Sequence, residues 1–202
     1  FKNLERPLIQ GIDGSHHQLA PIDWKGIYKL GFRFVYIKST EGVDHKDNQF
    51  DNYLAGAKKA GFYVGAYHYA TPGNMLDQEK PKQKQLQDDA RKEADYFLRT
   101  ASKALNKGNM RPALDLEHCD GIDDLTDSEL AYWVINWMER VENKVKRKPL
   151  LYGRKYVKKA AEGNEKIEQD YSLWGIDYKN RKPDFAPWKR ALIWQYEFEG
   201  IV

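Results

Sequence analysis

A chain of 202 residues, 41% of them hydrophobic, can bury a full core, and no break in composition separates two halves, so it reads as one domain over residues 1–202. The formal net charge of +3, with Lys and Glu interspersed, is too small to argue for nucleic acid and favours at most an anionic surface. The lone Cys119 excludes an intramolecular disulfide, and no apolar run approaches the roughly 18 residues that span a bilayer. Phe1-Lys2-Asn3-Leu4-Glu5 carries no signal-peptide pattern, and a start without Met is expected to mean that something upstream was removed.

Strand-like and helix-like runs alternate along the chain. A first strand is expected over residues 8–15, with Asp13 near its end in Gly11-Ile12-Asp13-Gly14-Ser15-His16-His17-Gln18. A short helix holding Trp24, Ile27 and Leu30 follows, closed by Gly31 where a left-handed cap is expected. The second strand, 32–40, runs into Lys38-Ser39-Thr40-Glu41-Gly42. A helix with Phe50, Tyr53, Leu54 and Ala57 then stops at Gly61 in the same manner. The third strand, 63–70, places Tyr67 and Tyr69 on one face, and the long third helix carries Leu86, Ala90, Ala94, Phe97, Leu98, Ala101 and Leu105 opposite a charged face. Its lysine-rich start, 80–84, reads as a solvated loop or first turn. After the fourth strand, 112–118, Thr126 and Glu129 open the fourth helix in capping-box spacing, and it continues through Leu130, Trp133, Val134, Trp137, Met138, Val141 and Val145. Beyond Lys148, strands at 150–156, 172–178 and 191–198 are expected to be joined by short segments with little helical periodicity.

Regular alternation of strand and helix implies a parallel sheet. Seven such strands without a G-x-G-x-x-G turn favour a closed or nearly closed α/β barrel over a nucleotide-binding open sheet. Functional groups of such barrels gather at the C-terminal strand ends, where Asp13, Asp115 and Glu117 fall, with Glu41 just past the second strand.

The fourth strand, Pro112-Ala113-Leu114-Asp115-Leu116-Glu117-His118, carries the most chemistry. Side chains at i and i+2 of a strand share a face, so Asp115 and Glu117 are aimed into one space while Leu114 and Leu116 pack on the other side. Carboxylates held close drive their pKa values apart, one holding a proton and the other staying charged, and that is the pair a glycosidic bond needs for cleavage. The alternative for the pair is a structural ion network with Lys38 or Arg111 as counter-charge. Asp13 could equally shape its own turn, and Glu41 could simply hold Lys38 or a loop. His16, His17, His68 and His118 raise the thought of a metal site. No H-E-x-x-H or matched ligand spacing is present, and His118 alternates away from the acids, so supporting or packing roles are expected with no metal. Tyr67, Tyr69, Tyr152, Trp174, Tyr178, Trp194 and Tyr196 near strand ends form a plausible sugar-stacking wall, although any one of them alone suits a core, and Gln195 is a candidate polar contact.

In their order and spacing, six segments resemble the muramidases of glycoside hydrolase family 25, the Chalaropsis-type lysozymes of phage endolysins and bacterial autolysins. They are Gly11-Ile12-Asp13-Gly14-Ser15-His16-His17-Gln18, Phe34-Val35-Tyr36-Ile37-Lys38-Ser39-Thr40-Glu41-Gly42, Val64-Gly65-Ala66-Tyr67-His68-Tyr69, Ala113-Leu114-Asp115-Leu116-Glu117, Leu173-Trp174-Gly175-Ile176-Asp177-Tyr178 and Ile193-Trp194-Gln195-Tyr196. The resemblance implies an irregular TIM-like barrel, five βα units followed by strands with few or no helices. It also implies cleavage of the β-1,4 bond between N-acetylmuramic acid and N-acetylglucosamine in peptidoglycan. Retention is the expectation: direct attack by a carboxylate needs a gap of roughly 5 Å between the two groups, whereas a wider gap suits inversion or attack by the substrate's acetamido oxygen, the route that the N-acetyl group of muramic acid favours. Glu117 matches the family's general acid, Asp115 the residue that stabilises the positive centre or orients the N-acetyl group, and Asp13 the first-strand Asp. For substrate contact the candidates are Tyr67, Tyr69, Tyr152, Trp174, Gln195, Glu41 and Lys38. The expected setting is the bacterial cell wall, reached by secretion or phage delivery, with glycan strands as partner. A monomer without cofactor, nucleic acid or membrane insertion is expected.

Two departures stand out. The family usually carries a further Asp in a strand after the W-Q-Y segment and this chain ends at Val202, so either a truncated C-terminus or loss of the final strand is expected, with one acidic site position unfilled; Ile176 replaces a usually small residue and is expected to narrow the sugar groove. The rivals are a chitinase-like D-x-D-x-E hydrolase, counted against by Ala113 in the place of the first Asp, a wall-binding module with relic acids, and a metal-dependent deacetylase.

Overall fold

The computed structural model describes residues 8–18, 21–74, 76–77, 79–178 and 183–197. Strand β1 (Gly11–Gly14) leads through α1 (Trp24–Lys29) to β2 (Phe34–Glu41), followed by β3 (His45–Lys46), α2 (Phe50–Ala60), β4 (Tyr63–Tyr69) and α3 (Lys82–Thr100). The order continues with β5 (Ala113–Asp115), α4 (Asp127–Val145), β6 (Leu150–Gly153), α5 (Lys155–Gly163), α6 (Lys166–Asp170), β7 (Ser172–Ile176) and β8 (Ile193–Gln195). The strands lie in the order β1-β2-β4-β5-β6-β7-β8 with every neighbouring pair parallel, and β3 adds to β2 antiparallel.

The twisted parallel sheet curls into a half-barrel, and its two faces, both largely apolar, differ in kind. Val35, Ile37, Val64, Ala66, Leu114, Leu151 and Leu173 point outward into the core shared with the helices, while Phe34, Tyr36, Tyr67, Ala113, Leu150, Tyr152 and Trp174 form a second, aromatic-rich cluster inside the curl. Gly65 lies in register beside Tyr36, and a Cβ there would come within 2.3 Å of the Tyr36 ring, so the glycine makes room for it. Strands β1 and β8 are the two edges, and among the described residues no backbone pairing joins them. Side chains span the seam instead: Gln195 Nε2 donates to Asp13 Oδ2 at 3.3 Å and the Tyr196 hydroxyl donates to Gln10 Oε1 at 2.6 Å.

Helix punctuation follows the local sequence. Gly31 and Gly61 have φ of 105° and 98°, the left-handed conformation that ends α1 and α2. Thr126 Oγ1 accepts from the Glu129 amide at 3.2 Å and Glu129 Oε2 accepts from the Thr126 amide at 2.8 Å, a complete capping box on α4.

Several expectations are corrected. The region after Lys148 is not poor in helix, since α5 and α6 both connect β6 to β7. Tyr156, expected in a strand, is the second residue of α5, and with Val157, Ala160 and Ala161 it forms a narrow buried stripe against α4. Only nine residues long and interrupted by Lys158 and Lys159, that stripe is too short for its period to stand out. The strand expected at 172–178 stops at Ile176, the strand at 191–198 contracts to three residues with Phe198 outside the described residues, and β3 is not foreseen at all.

Behind β4, polar groups are buried and fully engaged. His68 Nδ1 pairs with Thr40 Oγ1 at 2.8 Å and its Nε2 with Glu93 Oε2 at 2.7 Å, while Glu93 also accepts from the amide and hydroxyl of Thr71. Glu93→Ala leaves His68 and Thr71 without these partners and is expected to cost about 2–3 kcal/mol. Thr126→Ala, which removes an exposed cap, is expected to cost about 1 kcal/mol. Urea unfolding midpoints of the two variants check the order.

Candidate active site

One row of inward-facing side chains crosses the C-terminal mouth of the sheet. Glu41 is in register with Tyr69, Tyr69 with Asp115, Asp115 with Tyr152 and Tyr152 with Trp174. Asp115 is the last residue of β5, and the Leu116 amide still donates to the Tyr152 carbonyl at 3.0 Å, so Glu117 stands just past the strand end rather than inside it. Asp13, the third residue of β1, reaches the same acid cluster from the seam edge.

Strict alternation does not explain how Lys38 and Glu41, three residues apart, meet. The pairing of β2 with β4 runs Lys38 to Tyr67 and then Thr40 to His68, so Ser39 is an extra residue in β2. This bulge restores Glu41 to the face of Lys38. Lys38 Nζ then lies 2.6 Å from Glu41 Oε2 and 4.6 Å from the centre of the Tyr69 ring, with only 6% of the lysine exposed.

The electrostatics follow from burial. Asp115 is 5% exposed, and loss of solvation pushes its carboxyl well above the ordinary range, with the charge of Glu117 adding, Lys38 opposing, and Asp13 and Glu41 adding further. Glu117, half-buried, is raised by the same loss of solvation and held back by Lys38. The Asp13 carboxyl is raised to about 6, first by burial of its surroundings and then by Glu117, although Asp13 itself opens onto the seam, where water screens part of the effect. Tyr67, Tyr69 and Tyr152 are all pushed up by burial and next by Asp115, so their hydroxyls stay protonated beside the acids. Asp115 Oδ1 is buried and accepts no hydrogen bond.

The remaining expected site residues fall in distinct places. Tyr67, Tyr69 and Tyr152 are half-buried around Asp115, and the Tyr69 hydroxyl donates to the His118 carbonyl. Trp174 lies deeper, 4% exposed, with ring centres 4.6 Å from both Tyr36 and Tyr152. Gln195 reaches Asp13 across the seam, where a cavity is bordered by Asp13, Trp174 and Gln195. Arg111, offered as a counter-charge to the acid pair, precedes β5 at the opposite end of the sheet, where its electrostatic neighbours are Tyr36 and Arg147. Lys38 is the counter-charge. His118 is exposed and 3.8 Å from Asp123, whereas His68 belongs to the outer layer with Glu93. Among the described residues no three His, Cys, Asp or Glu side chains are grouped to hold a metal.

Two contributors were not singled out as site residues by sequence. Asp47, fully buried, accepts the His16 amide at 2.9 Å and His16 Nδ1 at 2.8 Å, tying the turn after β1 to the segment after β3, in a stretch that reads only as loop. Tyr178, placed by sequence only in the aromatic wall, hydrogen-bonds Tyr152 and stands within the field of Glu117 and Asp13.

The family model described as Glycosyl hydrolases family 25 matches residues 12–202. Lysozyme M1 of Streptomyces globisporus is 27% identical over 206 residues, covering 96% of this chain and 63% of that protein. An N,O-diacetylmuramidase of Arthroderma benhamiae is 31% identical over 148 residues, covering 71% of this chain and 57% of its own length. The chain thus spans about three-fifths of these relatives. Among solved structures, a muramidase from Trichobolus zukalii superposes with a TM-score of 0.78 at 25% identity, covering 94% of this chain and 87% of that one.

The raised carboxyls carry a stability signature. Asp115 holds its proton more tightly folded than unfolded, so its contribution to stability is fully present below the unfolded value near 4 and is lost as pH rises through the higher folded value. Asp115→Asn is therefore expected to unfold at a higher temperature than the parent at pH 7.5, with the gap closing toward pH 4. Thermal melts across that range measure it, and a gap that widens on acidification contradicts the assignment.

Proposed function

Since the chain belongs to glycosyl hydrolase family 25, we propose that it is a lysozyme of the muramidase class, hydrolysing the β-1,4 bond between N-acetylmuramic acid and N-acetylglucosamine in peptidoglycan. The observation that carries this reading is the coupled pair Asp115 and Glu117 at the C-terminal mouth of the sheet, each raised in proton affinity and unequal in depth. The names of the relatives, lysozyme and N,O-diacetylmuramidase, support it. On this reading the half-barrel belongs to an irregular TIM-like barrel, with a helix following each of β1, β2, β4, β5 and β6 in support.

Glu117, less buried than its neighbour, is the general acid that protonates the glycosidic oxygen and later takes a proton from water. Asp115 offers its unengaged Oδ1 to the substrate's acetamido N–H. That hydrogen bond favours the Asp115 anion and leaves the shared proton on Glu117, where the departing oxygen needs it. It also directs the acetamido oxygen at the anomeric carbon, so the product keeps its configuration. Asp13 supports the charge of the site, and Tyr67, Tyr69 and Tyr152, kept neutral, present ring faces and hydroxyls to the sugars. Glu41, Lys38, Gln195 and Trp174 complete the substrate side.

The reading extends to one catalytic unit that acts as a monomer at the bacterial cell wall, delivered by secretion or by phage. Among the described residues no helix is long and apolar enough to cross a membrane.

Purified peptidoglycan is the direct test. The protein is expected to release reducing ends that mass spectrometry identifies as N-acetylmuramic acid. Glu117→Gln is expected to lower the rate by about 10²–10⁴-fold with the melting temperature retained. New N-acetylglucosamine ends, a first product of inverted configuration, or a near-parental rate in Glu117→Gln would each defeat a named part of the reading.

A further inference from the structure

The bulge in β2 is a built feature. Ser39, the extra residue, donates its hydroxyl to the Tyr67 carbonyl at 2.9 Å, and its own carbonyl accepts the Asp47 amide at 3.1 Å. Bulges of this kind re-aim side chains. Here the effect is to turn an ammonium and a carboxylate together into the mouth that also holds Asp115 and Glu117. A nearly buried lysine is costly unless it is paired, and Lys38 is held on two sides, by Glu41 and by the face of Tyr69.

Resting on the muramidase reading, we propose that Lys38 is a positioning residue: its ammonium, anchored by Glu41 and Tyr69, is the counter-charge that keeps the Asp115 and Glu117 pair singly protonated at the working pH. Glu41 is the opposing half of the device, because it draws on the same ammonium and adds negative charge beside Asp115.

The groups around this cation are Glu41 on β2 itself, the Tyr69 ring on β4, and Asp115 and Glu117 at β5, whose carboxyls its charge reaches. Asp13 on β1 adds its charge to Asp115, and Tyr67 on β4 and Tyr152 on β6 lie within the field of Asp115. Tyr178 after β7 is coupled to Glu117 and Asp13, and Asp47 bears on Tyr67. With the tyrosines on β4 and β6 held neutral, carboxyl groups and Lys38 set the balance of charge. Removing the cation and removing its anchor must therefore act in opposite directions.

The test compares Lys38→Met, Lys38→Arg and Glu41→Gln with the parent in two measurements: kcat/KM against pH on soluble peptidoglycan fragments, and carboxyl-carbon NMR titration of Asp115 and Glu117. In Lys38→Met both limbs of the profile and both titrations are expected to move up by about one pH unit, since a nearby cation favours the carboxylates. In Glu41→Gln they are expected to move down, and Lys38→Arg is expected to keep the parental positions. A fall in activity with unmoved limbs and titrations would reduce Lys38 to a structural or substrate-binding role and overturn the proposal, as would both neutral variants moving the same way. If Lys38→Met does not fold, the downward displacement in Glu41→Gln, or its absence, decides the matter. If the parent releases no reducing ends, the muramidase reading fails while the NMR titrations still decide the role of Lys38.

Discussion

Two carboxyl groups at the end of one parallel strand, held where water is scarce, dominate this molecule. Asp115 and Glu117 raise each other's cost of ionisation, and the arrangement persists only because the surrounding sheet fixes both positions. The Asp115 carbonyl accepts the Ala70 amide at 2.9 Å on one side, and the Leu116 amide donates to the Tyr152 carbonyl at 3.0 Å on the other. A strand with only three residues of regular pairing thus sits between two neighbours that set its height and its facing. Stability is given up at this point and supplied by the layer outside it.

That outer layer divides the work with the inner one. Residues alternating outward from β2, β4 and β5 join the helices in a continuous apolar core, within which His68, Glu93, Thr40 and Thr71 satisfy one another. Inward residues are larger and flatter, with Trp174 packed between Tyr36 and Tyr152 below the acids. The aromatic floor supports the mouth. The same alternation that hides His68 behind the sheet presents Tyr67 and Tyr69 to the acids, so one strand serves a structural cluster and a chemical one.

The raised proton affinities of both carboxyls bear on the chemistry. Asp115, deeper and surrounded by Glu117, Asp13 and Glu41, is pushed well above the ordinary range, while Glu117, also raised, has solvent on one side and Lys38 within its field. On the proposed reading, a donor arriving at the unengaged Asp115 Oδ1 favours the Asp115 anion, which would link recognition of an N-acetyl group to the readiness of Glu117 as general acid. The proposed hydrolysis would then depend on the substrate's own amide for its timing as well as for its nucleophile.

Much of this was legible in the residues alone, because it depends on periods and local bonds. Spacing by two puts Asp115 and Glu117 together in any extended strand, Gly31 and Gly61 end helices because they reach positive φ, and Thr126 with Glu129 closes a helix start through bonds four residues span. Short-range rules fail where the outcome belongs to partners distant in sequence. The extra residue Ser39 is visible only against β4, and without it Lys38 and Glu41 would face opposite ways. Helix α5 is decided by α4, which covers a stripe too brief to be read. Arg111 is removed from the acids because it precedes the strand that Asp115 ends, and Trp174 is deep because Tyr36 and Tyr152 close over it. Sequence by itself determined which side chains share a face, since backbone geometry repeats every two or 3.6 residues; tertiary structure alone decided how deeply each carboxyl is buried and which cation stands beside it, since solvation and Coulomb energy depend on distances through space.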